Sequence, residues 1–323
     1  MEIALQILVL VIGFIFLIKG ADWLVSGASS VASNFKVSKL LIGLTIVAFG
    51  TGAPELAVSF SSLINGNTDI LLGNVIGSNI VNILLLIGIA AVIRPIKVQK
   101  DTVSKELPLL LLISTALIVL ILDTTLSGAL ENVFSRSDAI ICLLLFCIVL
   151  YYLVALLRKN KREAKKVEKP KYKLGKSFLL VVIGLAGVVA GSQLVVSSAS
   201  FIASAIGVSE RIIALTVVAF GTSLPELVTT ITAARRGESD LLVGNIVGSN
   251  IFTICIVLAL PIAISGSISP ENFETIDLVM LMVATAIICL IARRNHDINR
   301  IEGLLMLAIF AIYYGYIIYG ALA

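Results

Sequence analysis

One stretch of this chain occurs twice. Residues 43–80 align without a gap on residues 214–251 at a constant offset of 171, and 19 of the 38 positions are identical. The identities are polar or conformationally special: Thr45, Gly50, Thr51, Pro54, Glu55, Gly73, Asn74, Gly77, Ser78 and Asn79, matched by Thr216, Gly221, Thr222, Pro225, Glu226, Gly244, Asn245, Gly248, Ser249 and Asn250. Both copies sit in apolar surroundings. A duplicated unit that keeps carboxylates and amides inside apolar helices points to a site for something polar, built where the copies meet.

Composition says which solvent those helices face. Apolar residues make up 59% of the chain, charged residues 14%, and the mean hydropathy is +1.09, against about 25% charged for a soluble domain. Stretches long enough to cross an apolar layer of about 30 Å lie near residues 3–24, 38–64, 69–93, 103–122, 138–157, 177–199, 211–234, 241–265, 275–292 and 301–321. The expectation is therefore an all-α polytopic membrane protein with ten transmembrane helices. No basic residue precedes the first stretch, so it reads as a retained span and not a cleaved leader.

With the N-terminus outside, 21 of the 24 Lys and Arg fall in inner loops, while only Arg136 and Arg211 fall in outer ones and Lys19 lies within the first span. The positive-inside rule then places both termini outside and the basic run 158–176 in the cytoplasm, at the cell membrane. The net charge of +4 follows from loop topology, so it calls for no nucleic acid, and no protein partner is evident. The run reads as a solvated linker between a five-helix unit at 1–157 and another at 177–323; contact with anionic membrane lipid is the sharper alternative. Five spans separate the two copies of the repeat, an odd number, so equivalent residues face opposite sides of the membrane, as in inverted-repeat carriers.

Each GT-x-x-PEL segment is expected to break its helix, because proline lacks a backbone donor and disfavours helix in the residue before it. The carbonyls of Ala48, Phe49 and Thr51, and of Ala219, Phe220 and Thr222, are expected to lose their partners and line a polar cavity. Glu55 and Glu226 follow directly. An unpaired carboxylate there costs from about 2.5 to above 10 kcal/mol, so a ligand role is favoured over a bare structural one. Asn74, Ser78 and Asn82, with Asn245, Ser249 and Thr253, repeat every four residues and each set shares a helix face. Beside them Gly73, Gly77, Gly244 and Gly248 read as surfaces for close helix approach.

All these groups offer oxygen, which suits Ca2+ and Na+. Cys142, Cys147, Cys255 and Cys289 have no metal-ligand spacing and read as small buried hydrophobes, and the one histidine, His296, lies in a loop. No prosthetic group is implied. No nucleophile with a base and no zinc motif marks an enzyme, and the broken helices fit a carrier better than a continuous pore. Asp69 and Asp240 read as helix caps, and Lys19 with Asp22 as an interfacial ion pair or a snorkelling Lys.

GT-x-x-PEL followed by GN-x-x-GSNI, present twice, resembles the alpha repeats of the calcium/cation antiporter superfamily, in particular its prokaryotic sodium/calcium exchangers. The resemblance covers essentially the whole chain. It implies Na+/Ca2+ antiport by alternating access, with Glu55, Glu226, Asn82, Ser78, Ser249 and Ser223 as ligands, joined by the carbonyls of Ala48, Thr51, Ala219 and Thr222. It also implies a first and sixth span that slide against the core. Proton coupling on the same fold is the rival, and the GT-x-x-PEL form resembles the sodium-coupled branch more. The family often has an acid where this chain has Thr253, and a serine where it has Gly52. Two carboxylates balance one Ca2+ or two Na+, so a third Na+ is expected to bind weakly or the stoichiometry to differ from the family's.

Overall fold

Proline, glycine and charge cut the apolar chain into helices of unequal length. In the computed structural model, which describes residues 2–66, 68–128, 130–163, 170–207, 219–269 and 275–322, these are α1 (Glu2–Phe35), α2 (Lys39–Thr51), α3 (Ala53–Ile64), α4 (Thr68–Ile93), α5 (Thr102–Ile121), α6 (Asp123–Ser127) and α7 (Arg136–Glu163). They continue as α8 (Leu174–Ala205), α9 (Ala219–Thr222), α10 (Leu224–Arg236), α11 (Ser239–Ser265), α12 (Thr275–Asn295) and α13 (Arg300–Leu322). Short strands β1 (Ile96–Lys97) and β2 (Asp297–Ile298) pair antiparallel and tie the loop after α4 to the turn between α12 and α13. Among the described residues eight helices are long and apolar enough to cross a membrane, and α2 with α3, bent by 43°, makes a ninth. The expected span at 211–234 falls partly outside the described residues, as does the basic run, and Arg211 lies outside them.

Burial separates core from rim. The most apolar windows of α4 and α11 are 72% and 83% buried, against 17% for α1, so α4 and α11 form the interior and the apolar outer faces of the others are left for lipid. Here α4 packs on α3 and α13, and α11 on α2, α7 and α10. Both interior helices widen into a π-helical turn, at Val81–Leu86 and Thr253–Leu258, directly after their GSNI segments. A π turn shifts the helix face by part of a turn and is frequent at functional sites. The four-residue spacing in the sequence carries no sign of it.

The longest helices, α1 and α8, cross through their glycines. A Cβ built on Gly184 meets the Leu24 nitrogen at 2.4 Å, one on Gly20 meets the Val188 nitrogen at 2.7 Å, and one on Gly191 meets the Leu17 nitrogen at 2.7 Å. Backbone atoms cannot move aside as a flexible side chain can, so these positions accept only glycine. In an apolar solvent, where burial of apolar surface drives nothing, such close approach is what holds two helices together. The expectation for the interior glycines is met on one side only. Gly244 and Gly43 bring α11 and α2 together, with Leu40 O at 2.4 Å from a Cβ on Gly244, whereas among the described residues nothing lies within 4 Å of one on Gly73 or Gly77.

Polar ties join α1 to the core at one end. Arg236 pairs with Asp22 at 2.8 Å and also meets the Ser26 hydroxyl, Lys39 pairs with Glu238 at 2.8 Å, and the Ser29 hydroxyl donates to Glu238 at 3.0 Å. Asp22 thus reaches across to α10, correcting the expected pairing with Lys19 one turn away. Asp69 and Asp240 lie inside the first turns of α4 and α11 and are not the capping residues themselves; Glu238 precedes α11, and Asp240 accepts from Gln99 Nε2 at 2.6 Å. The acidic side chains still favour the positive helix ends. Of the cysteines, Cys142 and Cys255 are buried, but Cys147 is exposed on α7 and Cys289 half-buried; Cys147 faces outward because the buried stripe of α7 runs through Ala139, Cys142, Val149, Leu153 and Leu156. Replacing Gly184 by Ala is expected to lower the thermal stability of the detergent-solubilised protein by about 1–3 kcal/mol, the usual cost of overpacking. The same change at the exposed Gly315, where nothing lies within 4 Å, leaves it unchanged within about 1 kcal/mol, near the intrinsic Gly-to-Ala difference.

Candidate ion-binding site

The two PEL segments place a carboxylate at the start of a helix in the middle of the molecule. Pro54 and Pro225 occupy the first turns of α3 and α10, as proline prefers, and Glu55 and Glu226 follow in the same turns. There the free amides and the helix dipole favour negative charge. Both glutamates are 1% exposed and near enough to repel one another. Glu55 Oε2 and both oxygens of Glu226 accept no hydrogen bond among the described residues. The Thr51 hydroxyl lies beside Glu226, but its proton is directed to the Val47 carbonyl at 3.0 Å.

Neutral oxygens surround the pair. Ser223 and Ser249 are buried with hydroxyl oxygens that have no partner among the described residues, as is Asn82 Oδ1. Ser78 donates to the Val75 carbonyl at 3.1 Å, which leaves its lone pairs available. Thr51 approaches Asn245 Oδ1 at 3.5 Å, and Thr222 approaches Asn74 Oδ1 at the same 3.5 Å, so each broken helix meets the GN-x-x-GSN helix of the other copy. Asn74 also donates to the Glu55 carbonyl at 3.3 Å. A groove of about 470 Å3 reaches Asn74, Ser78 and Thr222 of this set, lined also by Asp69, Asp277 and Tyr314 among others.

Two expectations need correction. The Ala48 carbonyl is not freed by the break, because the Gly52 amide donates to it at 3.0 Å. The carbonyl that a proline at 54 deprives of its amide is that of Gly50, four residues earlier. Its counterpart Gly221 shows how such a group is satisfied: the Ser192 hydroxyl of α8 donates to it at 2.7 Å. The position 171 residues before Ser192 is Ala21, which has no hydroxyl to offer Gly50. Ala219 opens the short turn of α9. Thr253 is engaged within the protein as well: its hydroxyl accepts from Asn79 Nδ2 at 2.7 Å and donates to the Asn250 carbonyl at 3.0 Å, which leaves one lone pair.

Sequence reasoning missed Ser192, since nothing in its neighbourhood distinguishes it from other helix serines. It also assigned no role to Asn79 and Asn250, although their identity across the repeat was a signal. Chemically, the cluster is a water-poor cavity with two carboxylates and an all-oxygen set of neutral groups. That fits a hard cation, which takes oxygen ligands at about 2.3–2.6 Å for Ca2+.

The chain as a whole is similar to known proteins. A family profile described as sodium/calcium exchanger protein matches residues 5–155 and 176–319. The chain is 37% identical to the inner membrane protein YrbG of Escherichia coli over 94% of either chain. It is 30% identical to the sodium/calcium exchanger MaX1 of Methanosarcina acetivorans, over 96% of this chain and 98% of that one. Among solved structures, the sodium-calcium exchanger NCX_Mj soaked with zero Na+ and Ca2+ superposes with a TM-score of 0.83 at 33% identity, covering 98% of this chain and 99% of that one. Replacing Ser192 by Ala leaves the Gly221 carbonyl buried and unpaired. It is expected to lower thermal stability by about 1–3 kcal/mol, the penalty for an unsatisfied buried acceptor, as read by unfolding in detergent.

Proposed function

The chain belongs to the sodium/calcium exchanger family, and we propose that it exchanges Na+ for Ca2+ at one set of oxygen ligands centred on Glu55 and Glu226. The observation that carries this reading is the pair of buried carboxylates, of which Glu55 Oε2 and both Glu226 oxygens find no donor among the described residues. Empty and ionised, the pair repels itself in a medium of low dielectric; one Ca2+ or two Na+ removes that repulsion. Because both ions need the same two carboxylates, binding of one excludes the other. That mutual exclusion is the thermodynamic core of antiport.

Around the glutamates we assign Asn82, Ser78, Ser249 and Ser223 as side-chain ligands, with the carbonyls of Thr51, Thr222, Ala48 and Ala219. The Ala48 carbonyl already accepts one amide and keeps a second lone pair for an ion. The proposed frame is ten spans in two five-helix units of opposite orientation, 1–157 and 177–323, joined by a cytoplasmic basic linker, with both termini outside. The charge distribution between loops supports that orientation.

In this mechanism α1 and α8 move against the core to expose the site alternately to each side. The glycine-lined crossing of α1 on α8 supports their movement as one body, because it binds the two helices to each other more closely than to their neighbours. Asp22 and Ser29 then act as fasteners at one end, releasing Arg236 and Glu238 as that side opens. Apart from the transported Ca2+ and Na+, membrane lipid is the partner the exterior fits.

Ca2+ uptake into proteoliposomes preloaded with Na+ tests the reading. Uptake that needs internal Na+, is absent with internal K+, and falls to background in both Glu55→Gln and Glu226→Gln is the expected result. Uptake driven by a pH gradient alone, in the absence of Na+, would reassign the coupling ion.

A further inference from the structure

Asn250 is fully buried, and its orientation is fixed by a group that cannot be reversed. Its Nδ2 donates to the Asn79 backbone carbonyl at 3.3 Å. A carbonyl only accepts, so the side-chain atom facing it is the nitrogen, and Asn250 Oδ1 must face the other way. There it accepts from Asn82 Nδ2 at 2.9 Å. The Asn82 amide is thereby oriented as well. Its nitrogen is engaged, and its oxygen is left buried with no donor among the described residues.

The related position in the other copy resolves the opposite way. Asn79 Nδ2 donates to the Val75 carbonyl at 2.7 Å, which again fixes the nitrogen, and to Thr253 Oγ1 at 2.7 Å. Thr253 in turn donates to the Asn250 carbonyl at 3.0 Å. Its hydroxyl therefore both gives and receives a hydrogen bond within the protein, whereas Asn82 Oδ1 does neither. Two asparagines at equivalent places in the repeat, each locked by a backbone carbonyl, present one oxygen to the interior and tie the other down.

We propose that Asn250 is a positioning residue for ion binding: it holds the Asn82 amide nitrogen so that Oδ1 is the atom presented to the transported cation. The assignment rests on Asn82 being a ligand, as argued under Proposed function. With Asn250 in place the amide cannot flip, because flipping would set Asn82 Oδ1 against Asn250 Oδ1. Without it, the amide is free to turn its NH2 group toward the cation, and an N–H donor repels a cation. The same pair also bridges α4 and α11, so a purely cohesive role is the alternative to exclude.

The test is a double-mutant cycle on the full chain in proteoliposomes, reading the KM for Ca2+ and the maximal rate of Na+-dependent uptake separately. Partners that orient a metal ligand typically change affinity about 10–100-fold, so Asn250→Leu is expected to raise the KM for Ca2+ at least about tenfold, as Asn82→Ala does. Asn82→Asp should cancel the effect, because a carboxylate presents oxygen in either orientation. The KM of Asn250→Leu combined with Asn82→Asp is then expected within about threefold of Asn82→Asp alone, far inside that range. Asn250→Asp, protonated in this apolar interior so that its hydroxyl donates to the Asn79 carbonyl in place of Nδ2, keeps the acceptor for Asn82 and guards against a leucine variant that fails to fold; its KM should rise no more than about threefold, again well below the loss expected on removing the partner.

Cohesion alone predicts something else: Asn250→Leu lowers the maximal rate or the yield of folded protein at unchanged KM, and Asn82→Asp does not rescue it. That result overturns the proposal, as does an Asn250→Asp variant that weakens Ca2+ as much as Asn250→Leu. An unchanged KM in Asn82→Ala removes Asn82 from the ligand set and takes the proposal with it. A raised KM in Asn82→Ala with Asn250→Leu unaffected leaves the ligand in place and overturns only the positioning role.

Discussion

Two buried carboxylates with no basic partner among the described residues set the terms for the rest of this structure. An ionised glutamate in an apolar bundle is stable only if something nearby carries compensating charge. The described part of the protein supplies neither a Lys nor an Arg to Glu55 or Glu226, and Glu226 has no hydrogen-bond donor either. What it supplies is a helix start for each, which favours negative charge modestly, and a shell of neutral oxygens. A permanent salt bridge would have made the site inert, because an ion would then have to displace a fixed charge. Leaving the compensation to a mobile cation turns an energetic liability into affinity.

The surrounding architecture follows from keeping water and lipid away from that pair while leaving a way in. α4 and α11 have the most buried apolar windows and carry Ser78, Asn82 and Ser249 of the proposed ligands. α2 seals against α11 at Gly244 and Gly248, at distances only backbone can tolerate. On the α4 side, Gly73 and Gly77 have open space beside them among the described residues and border the groove that reaches Asn74, Ser78 and Thr222. Equivalent glycines thus serve opposite purposes, one pair as a seal and the other as a wall of the approach. The difference lies in what is packed on them, since the residues themselves are the same.

Much of this was legible in the sequence because its physical causes are local. Pro54 and Pro225 break helices whatever surrounds them, and a glutamate in the middle of an apolar run is costly whatever its neighbours are. The span of α4 or α11 is set by its own apolar length. What could not be read depends on atoms far apart in the chain. Asp22 looked paired with Lys19 because only sequence neighbours were visible; the fold brings Arg236 to it from 214 residues away. Ser192 became meaningful only once its hydroxyl was seen on the Gly221 carbonyl. The π turns after each GSNI segment left no mark in the pattern of apolar residues, yet they contain Asn82 and Thr253.

A duplicated sequence does not oblige the two halves to do the same thing. Glu55 and Glu226 are equivalent in burial and position, but the shells around them are not. Gly221 has its serine and Gly50 does not; Asn82 keeps a free oxygen and Thr253 spends its hydroxyl on Asn79 and Asn250. The carboxylates set how much positive charge the site can hold, and that quantity is shared by the halves. The neutral groups set where within the site a given ion sits best, and those differ. An ion with a demanding coordination number, such as Ca2+, needs ligands from both shells at once, while Na+ is satisfied by fewer. In the proposed site, asymmetry in the neutral shell is thus laid over symmetry in the charged pair, so the two halves offer an ion the same charge but different neutral oxygens.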